Sequence, residues 1–375
     1  MRIFIPILFA LVICMTSCNK GLPDLGNNES ILFYIVADND LEECLDATLD
    51  NIKKGVTICS NGMEVLAYVD SKSSKPYIVK ISKRNGEVTS ACVKLYNEMV
   101  STEPQIMKQV LSDMLSLSTS PNHGLVIWSH GNGWIPYYLD NSVTKSIGLD
   151  HNTAIDTPVL SSLLSDVCHF DFIVFDACFM NCIETLFDMR YNADYIIASP
   201  TTILSSGFPY HRILRHLQRA YSSGYIDVCK QFMEYYNTAP EEFQYASVCC
   251  VDCSEIYKVA EFIRNNVDSV FSVDQLQLSE YQSLDASGRN LYFDFYDYYS
   301  SIINPDSVHT FNILFDKMVL YKESTYRTCE YIMPDSLVEL KFSTYNGVGS
   351  YILQQDNLYY NYLSSINQIF HTCER

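Results

Sequence analysis

The chain has no basic run. Across its 375 residues, 25 Lys and Arg stand against 44 Asp and Glu, a formal net charge of −19. Nucleic acid is a poor partner for such a surface. Past the N-terminus no stretch is long and apolar enough to span a membrane, which takes about 20 residues. There is no internal repeat and no low-complexity segment. Cys249, Cys250 and Cys253 are clustered, but no second Cys pair or His stands at zinc-ligand spacing. They read as core packing, and no metal ligands are assigned. What the chain does have is 28 Tyr and 19 Phe, the composition of an ordered, aromatic-rich protein.

The first residues read as a processing signal. Arg2 is followed by an apolar run from Ile3 to Met15, too short for a span but right for a signal-peptide core. It ends in Met15-Thr16-Ser17-Cys18, which resembles a bacterial lipobox and implies cleavage before Cys18 and lipid on its sulfur. An ordinary secretory signal is the alternative. Residues 1–17 are thus expected to be the signal peptide, and 18–30, rich in Asn, Gly, Pro and Asp, a tether. Asn19 after the Cys favours an outer membrane by analogy. Fourteen Cys in an exported chain would suggest disulfides. Cys168, Cys249 and Cys250, however, lie inside apolar runs, where a free Cys behaves as a small hydrophobe.

Apolar, β-branched runs alternate with helical patterns from Ile31 onward. Strands are predicted at Ile31–Ala37, Glu64–Val69, Gly124–Ser129, Phe172–Phe175, Asp194–Ser199 and Gln244–Val251. A hairpin is predicted around Asn85-Gly86, and helices at Pro104–Leu117, Pro158–Val167 and Asn181–Tyr191. Asp40 is a plausible cap for the helix after the first strand. The alternation means βαβ units: an α/β fold with a mostly parallel central sheet and helices on both faces. The core is drawn at 31–270. Residues 271–375, where the pattern loosens, are drawn as an extension packed on that core or completing it.

Two runs end in reactive side chains, Trp128-Ser129-His130-Gly131 and Phe175-Asp176-Ala177-Cys178. Sites of open α/β sheets lie beyond the carboxyl ends of strands, so His130 and Cys178 are expected on one rim. A thiol attacks as thiolate, and a His within reach deprotonates it and later protonates the leaving amine. A helix beginning near Asn181 would favour the anion. The Gly131 and Cys178 amides would form an oxyanion hole. Individually, a His after a strand and a Cys in an apolar run are more often structural. Asp176 lies on the same side as Cys178 by strand alternation and would receive a basic substrate side chain, or else cap the following turn. Cys182 reads as packing on the Cys178 helix face, and Glu184 as facing solvent or a local partner.

These segments resemble the clostripain family of cysteine peptidases. His130-Gly131-Asn132-Gly133-Trp134 is similar to its His-Gly-x-Gly-Trp motif, and Asp176-Ala177-Cys178-Phe179-Met180 with Glu184 to its nucleophile segment. Asp38-Asn39-Asp40-Leu41-Glu42 is similar to its turn after the first strand. Asn192 through Ser199 and Gly207-Phe208-Pro209-Tyr210 are similar to its next strand and substrate loop. The resemblance implies a caspase-like three-layer fold, a Cys178/His130 dyad, and cleavage after Arg or Lys through an acidic pocket that includes Asp176. This chain carries Ser206 where the family commonly has a second acid, which loosens that specificity. Members are often zymogens cut in the loop after the His strand; here that loop contains Lys145, either a self-cleavage site or an uncut surface lysine. Some members need calcium, which Asp and Asn of the turns would bind, but no twelve-residue calcium loop is visible and no cofactor is assigned. The expected partners are protein or peptide substrates and a membrane reached through lipid, with the chain a monomer. The rival reading is a catalytically weak surface binding protein that keeps the fold, or a peptidase of non-basic specificity.

Overall fold

The computed structural model describes residues 29–136, 147–218, 222–267, 277–332 and 336–354. The expected anchor Cys18 and expected processing site Lys145 lie outside these residues. In chain order the first half runs β1 (Glu29–Ala37), α1 (Glu42–Ile58), β2 (Glu64–Ser71), β3 (Ser74–Arg84), β4 (Glu87–Leu95), α2 (Pro104–Leu117), β5 (Asn122–Trp128), β6 (Ile147–Asp150), β7 (Thr153–Ile155), α3 (Thr157–Ser165) and β8 (Phe170–Asp176). It continues with α4 (Ile183–Met189), β9 (Ala193–Ala198), α5 (Tyr210–Leu217), α6 (Ser222–Asn237), β10 (Ser247–Asp252) and α7 (Cys253–Asn266). Then come β11 (Phe293–Asp294), α8 (Phe295–Ile302), α9 (Val308–Met318), β12 (Val319–Ser324), β13 (Arg327–Ile332), β14 (Ser336–Lys341) and β15 (Gly349–Ser350).

Nine strands form one sheet in the order β12-β10-β9-β8-β5-β1-β2-β3-β4. The centre is parallel: β2 pairs with β1, β1 with β5, β5 with β8, and β8 with β9. Both edges are antiparallel, β3 and β4 on one side and β10 and β12 on the other. The difference follows from the connections. Helices carry the central crossovers, while Asn85 and Gly86, both at positive φ, turn β3 directly back into β4. β2 is buried at every position and β4 is mostly exposed, the patterns of a central and an edge strand.

Helices cover both faces. Residues of α2, α3, α4, α7 and α9 pack on one face, and those of α1, α5 and α6 on the other. A third, smaller cluster (Trp134, Phe179, Cys182, Leu284, Tyr292 and Tyr351) sits at the rim and joins residues of the last third of the chain to the turn after β8. No helix of the described residues is long and apolar enough to cross a membrane, and their cysteines are free.

Candidate active site

Strand register brings the two reactive residues together. Trp128 at the end of β5 pairs with Asp176 at the end of β8, and the Ser129 amide donates to the Asp176 carbonyl at 3.3 Å. His130 and Cys178 each stand two residues beyond that pair, so both segments leave the sheet in step. Gly131 then packs onto the Cys178 backbone. A Cβ there would lie 2.7 Å from the Cys178 carbonyl oxygen and 3.1 Å from its amide nitrogen. The glycine is needed for this close approach of two chains, a reason the sequence does not show.

His130 has a partner that sequence reasoning missed. Its Nε2 lies 2.6 Å from Asp40 Oδ1. Contrary to the expectation, Asp40 does not cap α1; Asn39 closes that turn by accepting the Leu41 amide at 2.8 Å, and Asp40 bonds the imidazole instead. The Asp40 side chain is exposed; the water it loses against its neighbours works to raise its carboxyl, but the hydrogen bond and charge of His130 outweigh that and hold it below the usual range. A carboxylate only accepts, so Nε2 is the nitrogen that donates in this contact, and Nδ1 is the nitrogen not engaged by Asp40. The turn after β1 is legible as a motif in the sequence. Its contact with His130 becomes visible only once β1 is known to lie beside β5.

Cys178 is half-buried, and its Sγ accepts the Ile203 amide at 3.3 Å. Burial pushes the thiol up to about 11; the Ile203 amide opposes this, and the charges of Glu330 and Asp176 add to it. The helix expected to favour the anion starts at Ile183, with Cys182 in its cap position, five residues past Cys178 rather than three. Its dipole falls off within a turn, so it does not offset burial. Phe179 adopts φ 59°, a left-handed conformation rare for a bulky residue. It is held there by a Phe179 amide to Thr201 carbonyl bond of 3.0 Å and by stacking on Tyr292 at 4.4 Å between ring centroids. Tyr292 in turn donates to the Asn132 carbonyl at 2.6 Å and so braces the turn after His130.

Asp176, the last residue of β8, bonds the loop that carries Ser206. Asp176 is buried, and its Oδ2 accepts the Phe208 amide at 3.0 Å and the Tyr210 hydroxyl at 2.6 Å. Burial pushes its carboxyl up to about 6 against those two bonds. Ser206 Oγ lies 3.0 Å from the Tyr236 hydroxyl, which donates to the Gly207 carbonyl at 2.8 Å. Gly207, at φ 60°, passes so close that a Cβ would stand 2.5 Å from Asp176 Oδ2.

Two neighbours differ from expectation. Glu184 is buried, not solvent-facing: its Oε1 accepts the Tyr351 amide at 2.9 Å and the Ser350 hydroxyl at 3.2 Å, partners more than 160 residues away. Cys182 is buried beside Thr185 and shares no helix face with Cys178, because Cys178 precedes the helix.

The clostripain family profile matches residues 33–369. Among solved structures, a secreted C11 cysteine protease from Bacteroides thetaiotaomicron, in complex with an irreversible peptide inhibitor, is 25% identical with a TM-score of 0.82, over 92% of this chain and 98% of that one. An inactive zymogen C11 protease from Parabacteroides distasonis is also 25% identical, with a TM-score of 0.81, over 93% of this chain and 99% of that one. No curated protein matches. A profile match across nearly the whole chain, on a caspase-like α/β fold, makes this protein a member of the clostripain family of cysteine peptidases.

Proposed function

We propose that this cysteine peptidase is an endopeptidase that cuts after Arg or Lys through Cys178 and His130. The observation that carries the reading is the register: two strand ends in step, with Gly131 against the nucleophile's backbone. His130 Nδ1 takes the Cys178 proton, and the thiolate attacks the scissile carbonyl. The Gly131 and Cys178 amides receive the oxyanion, His130 protonates the leaving amine as the C–N bond breaks, and water hydrolyses the thioester. Asp40 holds the imidazole with Nδ1 free. Asp176 receives the basic side chain, with Ser206 leaving selection looser than two acids would.

The half-buried thiol, pushed up to about 11, favours a precursor state for the uncut chain. The likeness to an inactive zymogen points the same way. Self-cleavage after Lys145 would release it, and lipid on Cys18 would hold the protein at the outer membrane. The test is turnover of a peptide library by processed protein with and without Cys178→Ala. We expect Arg and Lys peptides to be cut and the variant to be inert. Activity that survives Cys178→Ala, or no turnover by the processed wild type, refutes the proposal. Mass spectrometry of the mature N-terminus tests the anchor: any start other than lipidated Cys18 removes it.

A further inference from the structure

We propose that Tyr292 is a positioning residue for the reaction: it sets the Gly131 and Cys178 amides where the oxyanion forms. The inference rests on the dyad and oxyanion reading above and adds a third segment of the chain to it. Tyr292 stands just before β11, in the last third of the chain, and is fully buried. Its hydroxyl donates to the Asn132 carbonyl at 2.6 Å and lies 3.1 Å from Asn132 Oδ1. Its ring stacks on Phe179, with 4.4 Å between centroids and 16° between planes. Asn132 follows Gly131, and Phe179 follows Cys178. One side chain thus holds the residue after each of the two amides.

The contact is tight on every side. At Gly133 a Cβ would lie 2.7 Å from the Phe179 carbonyl oxygen, 2.9 Å from Cys182 Sγ and 3.2 Å from Tyr292 Cε1. Phe179 keeps its left-handed φ of 59°, which a bulky residue holds only where its surroundings fix it. Tyr292 is itself pinned through its backbone. Its amide donates to Asp285 Oδ2 at 3.3 Å, and its carbonyl accepts the Leu284 amide at 2.8 Å. The Ala286 amide donates to Glu330 Oε1 at 2.6 Å and ties the loop to β13. Burial raises the Tyr292 hydroxyl well above its ordinary pKa, so it stays protonated and donating near neutral pH.

The two reactive side chains have other supports. Asp40 bonds the imidazole, and the Ile203 amide bonds the thiol. Removing the Tyr292 hydroxyl therefore loosens the amides and leaves base and nucleophile in place. Negative charge develops on the carbonyl oxygen only during reaction, so a misplaced donor is felt in kcat rather than in KM.

The test compares the processed, full mature chain with Tyr292→Phe. That variant keeps the ring and its stack, and the Asn132 carbonyl still accepts the Ile135 amide at 3.2 Å, so the fold is retained. Two readouts at one thiol separate the roles. Peptide turnover builds an oxyanion; alkylation by iodoacetamide forms a C–S bond as iodide leaves, and builds none. Turnover by Tyr292→Phe should fall about tenfold or more in kcat with KM unchanged, while alkylation of Cys178 stays within about twofold and keeps its pH profile. Gly131→Ala should cost less in the Tyr292→Phe background than in the parent, because both changes act on the same amides. An unchanged kcat, equal losses in turnover and alkylation, or fully multiplicative losses in the double variant overturns the proposal. If the wild type cuts no peptide, the peptidase reading falls and takes this proposal with it. Wild-type turnover that Tyr292→Phe leaves untouched ends this proposal alone.

Discussion

Replacing Asp176 by Asn should stabilise the protein and blunt its specificity at once. The carboxyl is buried and pushed up from 3.8 to about 6, roughly two pH units, or on the order of 3 kcal/mol. Below about pH 4 it is protonated in both folded and unfolded chains, and no penalty arises. Between about pH 4 and 6 the unfolded chain ionises first, so stability falls as pH rises; above about 6 the loss is constant. Asn keeps an oxygen for the Phe208 amide and the Tyr210 hydroxyl but carries no charge. In the Cys178→Ala background, urea unfolding should therefore give the Asn variant equal stability at pH 4 and about 2–3 kcal/mol more at pH 8. In the active protein, the ratio of kcat/KM for matched Arg and neutral peptides should fall about tenfold or more, the value of one charge-assisted bond. A variant no more stable than the parent at pH 8, or an unchanged specificity ratio, would refute the view that this buried acid is held ready for a cation.

Three further outcomes are expected. In uncut protein, iodoacetamide labelling of Cys178 should be slow at pH 7 and rise about tenfold per pH unit towards its value of about 11; faster labelling at pH 7 than a free peptide thiol contradicts the buried state. Gly131→Ala places a Cβ 2.7 Å from the Cys178 carbonyl, so turnover should fall about a hundredfold, with a stability loss of about 1–3 kcal/mol; wild-type kcat would dismiss the packing argument. Asp40 is exposed, so Asp40→Ala should change stability by under about 1 kcal/mol in denaturant titrations while lowering kcat about tenfold with little change in KM; an unaltered kcat removes Asp40 from the reaction.

The central strands were legible because burial on both faces leaves a continuous apolar run, as in β1, β5 and β8. The hairpin at Asn85-Gly86 was legible because its turn needs two positive-φ residues. The helices at 295–318 were not, because their Phe and Tyr suit strands equally well. His130 and Cys178 showed themselves as strand-end residues. Asp40, Ile203 and Tyr292 did not, since each reaches the site through strand order or from a distant segment. Glu184 was misjudged for the same reason: its partners, Ser350 and Tyr351, come from the far end of the chain.

That dependence on late residues carries a consequence for how the protein is made. Tyr292 braces the turn bearing Cys178, and Ser350 and Tyr351 hold Glu184 in the helix that follows it, while the strand before it lies near the middle of the sequence. A chain still emerging from a ribosome holds Cys178 but not these supports. The peptidase centre can therefore reach its working shape only after almost all of the polypeptide has been delivered. The order of residues along the chain thus acts as a timer: the segment carrying the proposed nucleophile gains its last supports near the end of synthesis.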